Sequence, residues 1–196
     1  MNIEQDIKDW SKNVLEVPNS YLKGIPACPY AKEAWKKNRV DVVETEEILE
    51  QTLNLAKDFD GDSKDVLIIA SYYLPDLEAF DSFIEVLNEG WGNDLHFMGF
   101  HPEYGAEEKD LDFLYDHDWE SSTENEYCMV FIQNLSKVVE ASDKLEKLGY
   151  YEAYPEEEYQ ALVVNRKRKL KDGYETSRNE KDRDQKDGSR WYDEQK

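Results

Sequence analysis

Long hydrophobic runs are missing from this chain. Among its 196 residues no apolar stretch approaches the roughly 20 that a membrane-spanning helix needs. The start, Met1-Asn2-Ile3-Glu4-Gln5-Asp6, lacks the basic and apolar regions of a secretory leader. Cysteine is scarce: Cys28 and Cys128 are too few for a disulfide framework. These absences predict a soluble, cytoplasmic, reduced protein with no membrane partner. Bases are also in deficit, with 24 Lys and Arg against 45 Asp and Glu, a formal charge of −21. Four bases at 166–169, and seven bases against eight acids at 171–196, leave −24 on residues 1–165. A field of that sign repels phosphate backbones and disfavours general nucleic-acid binding; cationic partners and metal ions suit it better. There is no P-loop, no dinucleotide glycine fingerprint, no Gly-x-Ser-x-Gly and no paired Cys-x-x-Cys.

What is abundant is aromatic. Five Trp, 13 Tyr and seven Phe are too many for a disordered chain and predict a compact core. Ile3, Ile7, Trp10, Val14 and Val17 recur at helical steps, and Pro18-Asn19-Ser20 closes that helix. Pro29 reads as the first residue of the next helix, which would put Cys28 at its N-cap. An alternation follows: strand Val40–Val43, helix from Thr45 to about Lys57, strand Val66–Ala70, helix from Pro75-Asp76 to Gly90, strand Leu95–Phe100. The fold class expected is α/β, with α+β as the alternative: a small, largely parallel sheet of about three strands packed by helices. Residues 102–126 form an acidic loop with ten acids and one base. Met129–Ile132 has strand character, yet apolar residues from Tyr127 to Leu148 keep helical steps, so a helix ending at Gly149 is expected there. A further helix is predicted over 156–170. Residues 1–170 read as one α/β domain with a helical C-terminal part, and 171–196 as a flexible, mixed-charge tail.

Three places could carry chemistry. A thiol at a helix N-terminus is stabilised as thiolate, so Cys28 is a candidate nucleophile or soft-metal ligand; the bland alternative is a small buried apolar side chain. His101 follows a strand at the sheet end where open α/β folds place ligands, the alternative being a loop histidine bonded to a carbonyl. His96, five residues earlier, points to the other sheet face and is read as a packed or surface histidine. Asp116, His117 and Asp118 stand together among further acids, a donor set suited to first-row metals, although a solvated acidic loop is the simpler reading. The run Arg166-Lys167-Arg168-Lys169 has no aromatic platform near it in sequence and reads as neutralising the acidic body.

Cys28-Pro29-Tyr30-Ala31-Lys32 and Gly99-Phe100-His101-Pro102-Glu103-Tyr104 together resemble an uncharacterised bacterial family of about this size. Its members carry an early Cys-Pro-Phe-Ala motif and Phe-His-Pro-x-Tyr about seventy residues later, with the same strand–helix–strand–helix order between. The resemblance covers residues 5–104 well and 105–173 loosely, and it singles out Cys28, Pro29, His101, Pro102 and Tyr104. This chain departs from the pattern where the family continues with a Thr-Asn-Arg-Ser-Pro-like segment and a helix bearing His and Arg: Ser121–Cys128, Phe131 and Asn134 stand there instead.

The first functional expectation is a small cytoplasmic enzyme, or its remnant, acting on a small-molecule substrate, with Cys28 and His101 facing one cleft. Either His101 deprotonates Cys28 for nucleophilic attack, or the two hold a transition metal with Asp116, His117 or Asp118. Tyr104 or Tyr30 would donate a proton or hydrogen bond. The rival expectation is a non-catalytic acidic protein that docks on a basic partner, in the extreme as a nucleic-acid mimic, with Trp191-Tyr192 as an anchor.

Overall fold

The computed structural model describes residues 2–91, 94–103 and 127–173. The chain opens with α1 (Ile3–Trp10), whose N-cap Asn2 accepts from the Gln5 N–H. Ile3, Ile7 and Trp10 line its buried stripe, and a π turn over Ser11–Leu15 carries that stripe on to Val14. After α2 (Ala31–Lys36) come β1 (Val40–Glu44), α3 (Ile48–Asp58), β2 (Val66–Ser71), α4 (Leu77–Gly90) and β3 (Leu95–Phe100). Asp76 caps α4 by accepting from the Ala79 N–H at 3.1 Å.

The expected sheet needs correcting in two respects: it has four strands, and it is mixed. Cys128–Asn134 is a strand, β4, not the start of a helix. The sheet order is β1-β2-β4-β3, with β1 and β2 parallel and β4 antiparallel to both its neighbours. The three strands read from the sequence therefore run the same way, but β2 and β3 do not touch. The helical reading failed for a physical reason. As a central strand covered on both faces, Cys128–Ile132 is buried throughout and shows no polar alternation. The apolar steps counted from Tyr127 to Leu148 cross a strand–helix junction at Asn134, whose side chain accepts from the Ser136 and Lys137 N–H groups and starts α5 (Leu135–Lys147). α5 does end at Gly149, held at φ +75, the left-handed conformation glycine tolerates best.

Beyond α5 a 3-10 turn (Tyr150–Ala153) leads to α6 (Glu156–Tyr159), a π turn (Gln160–Val164) and further helix over 165–173. The C-terminal part is thus helical as expected, while 174–196 lies outside the described residues. Among the described residues no helix is long and apolar enough to cross a membrane.

Strand alternation divides the core between two faces. Leu67, Ile69, Phe97, Val130 and Ile132 pack with Phe80 and Leu87 of α4 and Ile48 and Ala56 of α3. Ile68, Ala70, Met129 and Phe131 pack with Ile7, Trp10 and Val14 on the other side. The first face closes tightly at Gly99: a Cβ there would lie 2.7 Å from the Phe80 ring. At the free edge of β3, Asn88 stands in for a missing strand. Its Oδ1 accepts from the Phe97 N–H at 3.1 Å and its Nδ2 donates to the Phe97 carbonyl at 2.9 Å.

Candidate functional site

The second face does not close. A cavity of about 480 Å³ lies between the sheet, the α1–α2 segment on one side, and α5 with the C-terminal helical segment on the other. Met98, Phe100 and Phe131 provide its sheet wall, while Trp10, Cys28 and Ala34 face Ala141, Tyr150 and Arg166. Local sequence explains both walls. The π turn after Trp10 presents Ser11, which accepts from the Trp35 indole N–H at 2.9 Å and ties α2 to α1. The Cys28 N–H donates to the Leu15 carbonyl at 2.9 Å, fixing the loop against that turn. Opposite, the turn at Gly149 brings three tyrosines together. Tyr154 donates to Tyr150, Tyr150 to the Ala27 carbonyl at 2.7 Å, and Tyr151 to Ser142 at 3.2 Å. Burial raises the pKa of all three hydroxyls, that of Tyr154 to about 12, so they remain protonated donors.

Trp10 and Arg166, both on the cavity wall, lack partners among the described residues. Trp10 is 3% exposed, its ring packed edge-on to Phe100 and Phe131, and its indole N–H is buried with no acceptor. Such a group loses its hydrogen bond to water without compensation, a cost of about 1–3 kcal/mol. Arg166 has no carboxylate partner among the described residues. Its nearest influences are the Tyr151 and Tyr154 hydroxyls, and burial weakens its hold on the proton, though a guanidinium stays charged. The next residue behaves oppositely: Lys167 binds Asp143 at 2.7 Å and Glu146 at 2.8 Å. The basic run therefore does neutralise acidic surface through Lys167. The expectation that it lacks aromatic neighbours fails for Arg166, because the fold supplies them from Tyr151 and Tyr154.

Cys28 lines the cavity, half-buried, but it is not the N-cap of α2: the helix begins at Ala31, and Tyr30 precedes it without a side-chain cap bond. Cys28–Tyr30 forms a turn whose carbonyl at Cys28 accepts from the Ala31 N–H at 3.2 Å. Burial pushes the thiol upward, outweighing the N–H groups of Tyr30 and Ala31 that favour thiolate, and Glu16 adds to the rise. A six-residue helix carries too little aligned dipole to reverse this. Tyr30 itself is exposed on the cavity wall.

His101 lies elsewhere. Its ring packs on Phe80 at 5.6 Å, on the closed face, and is 4% exposed. Nδ1 accepts from the Glu103 N–H at 3.2 Å, which fixes the tautomer and leaves Nε2–H to donate to the Pro75 carbonyl at 3.0 Å. Both nitrogens thus serve to hold the turn after β3 against the start of α4. The fold brings Cys28 and His101 to opposite faces of the sheet, not to one cleft, because residues 99 and 101 alternate with Met98 and Phe100. Tyr104, Asp116, His117 and Asp118 lie outside the described residues. Among the described residues no group of three His, Cys, Asp or Glu side chains is placed to hold a metal ion.

His96 is buried as a packed histidine. Nδ1 meets Asn88 Oδ1 at 3.2 Å, and Nε2 has no partner among the described residues. Desolvation, then the charges of Arg166 and Lys169, hold its pKa well below the ordinary imidazole range.

Sequence reasoning missed Trp10, Tyr150, Tyr151, Tyr154 and Arg166. The one local signal was the Tyr150-Tyr151-x-x-Tyr154 cluster after Gly149. No protein-family model, curated protein or solved structure matches this chain.

Proposed function

We propose that this protein binds a small, largely apolar molecule in the cavity between α1–α2 and α5. The observation that carries this reading is the cavity itself: about 480 Å³, with aromatic walls and a buried, unanswered Trp10 N–H. Cavities of several hundred Å³ with mostly apolar walls and a few convergent polar groups are the common form of small-molecule sites. A cavity left in a core by accident costs stability in proportion to its volume. Cys28 belongs to this site as a protonated wall residue. The placement favours binding over a Cys28–His101 dyad, whose members lie on opposite faces.

The test uses a neutral fluorescent probe, N-phenyl-1-naphthylamine, with the native chain and Ala141→Trp. Ala141 lines the cavity from α5, so an indole there fills it. The native chain should enhance probe emission in a saturable way. Ala141→Trp, with unchanged far-ultraviolet circular dichroism, should lose at least about tenfold in affinity, equivalent to about 1.4 kcal/mol. Absence of saturable binding, or equal binding by the filled variant, would overturn the proposal.

A further inference from the structure

We infer that the cavity is built for an organic anion, a carboxylate on an aromatic or other apolar body, with Arg166 as its receptor. The inference rests on the binding reading above and names the ligand class. Charge pairing on the cavity wall motivates it. Asp65 and Lys137 pair at 3.3 Å, and Glu140 and Lys144 at 2.7 Å. Arg166 is left as the wall's charged side chain with no counter-ion among the described residues. A half-buried guanidinium keeps its five N–H donors in a planar fork that matches a carboxylate bidentately. An anion in the cavity would answer it.

The neutral groups nearby have the same polarity. Trp10 offers an N–H and can accept nothing. Ser142 is 4% exposed, lines the same cavity and accepts from Tyr151, and its own hydrogen has no acceptor among the described residues. Trp10 and Ser142 thus both offer donors beside Arg166, and the complementary ligand carries acceptors. The protein's net field opposes anions, so an anion preference must come from local contacts. It therefore has to depend on Arg166.

The experiment compares two probes of matched shape, 2-naphthoate and 2-naphthamide, by displacement of N-phenyl-1-naphthylamine and by calorimetry. The native chain should bind the carboxylate at least about tenfold more tightly than the amide. Arg166→Met should lose that preference while still binding the neutral naphthylamine, and Arg166→Lys should restore part of it. Equal affinity for acid and amide in the native chain, or undiminished naphthoate binding by Arg166→Met, would overturn the anion inference and leave the cavity reading standing. Failure of the naphthylamine to bind the native chain would instead overturn the cavity reading, and this inference with it.

Discussion

The two faces of one sheet are finished differently. On the α3–α4 side, Phe80 is fully buried and packs so closely on β3 that Gly99 has no room for a Cβ. On the α1–α2–α5 side, strands of the same sheet contribute Met98, Phe100 and Phe131 to a cavity wall. Both faces are apolar, so hydrophobicity does not separate them. The covering elements do. α3 and α4 are the crossover helices of a β-α-β-α-β run and lie along the sheet. The other face is covered by pieces from both ends of the described chain, a broken N-terminal helix and a helical C-terminal segment, and they leave space between them. The lesson is that the closed face keeps the fold and the open face is available for binding. His101, on the closed face, has both ring nitrogens occupied in holding a turn. Arg166, on the open one, has no counter-ion among the described residues.

The comparison breaks most visibly at Phe80. Phe80→Ala should cost about 3–5 kcal/mol, read as a shift in the urea midpoint, because a large ring is removed from a fully packed site. Filling the open face with Ala141→Trp should leave the midpoint within about 1 kcal/mol of the native value, since the added ring enters existing space. A comparable loss in both variants would show that the faces are packed alike.

A smaller effect belongs to His96, at the β3 edge. Its folded pKa is depressed by burial. Below the unfolded value of about 6.5 the unfolded chain takes up a proton that the native chain refuses, so stability present at pH 7 is lost as pH falls. The loss should reach about 1.4 kcal/mol per pH unit within that window. His96→Phe should lack this component. Urea midpoints at pH 7 and pH 5 for both proteins test it, and an identical pH dependence would refute the assignment.

The mildest probe is the pair of thiols, one on each face. Cys128 is fully buried among the closed-face residues, and burial pushes its pKa up to about 12; Cys28 borders the cavity and is raised as well. Iodoacetamide should therefore label Cys28 slowly, with a midpoint above the free-thiol value of about 8.5, and Cys128 only on unfolding. Bound naphthoate should slow labelling of Cys28 alone. A Cys28 midpoint below 8.5 would restore it as an activated nucleophile.

Much of the fold was legible in the sequence, and little of the site. α1, α3 and α4 show their helical stripes, and β1, β2 and β3 their β-branched or apolar runs. β4 was not separable, because a strand buried on both faces has the same apolar residues as a buried helix, and Asn134 marks the junction only once the strand is known. Cys28 borders the cavity, yet its expected activation depended on a helix start that shifted to Ala31. The proposed anion receptor was hidden because Arg166 sits in a basic run beside Lys167, which pairs with Asp143 and Glu146.

By itself the sequence determined the elements other than β4, the shared direction of three strands and the excess of negative charge, since these follow from local periodicity and composition. Tertiary structure decided the rest. Insertion of β4 between β2 and β3 depends on pairing across 56 residues that follow β2 and 27 that follow β3, to which local pattern is blind. The separation of Cys28 from His101 follows from which sheet face each reaches. The isolation of Arg166 follows from where its helix docks, and docking is set by packing rather than by neighbours in the chain.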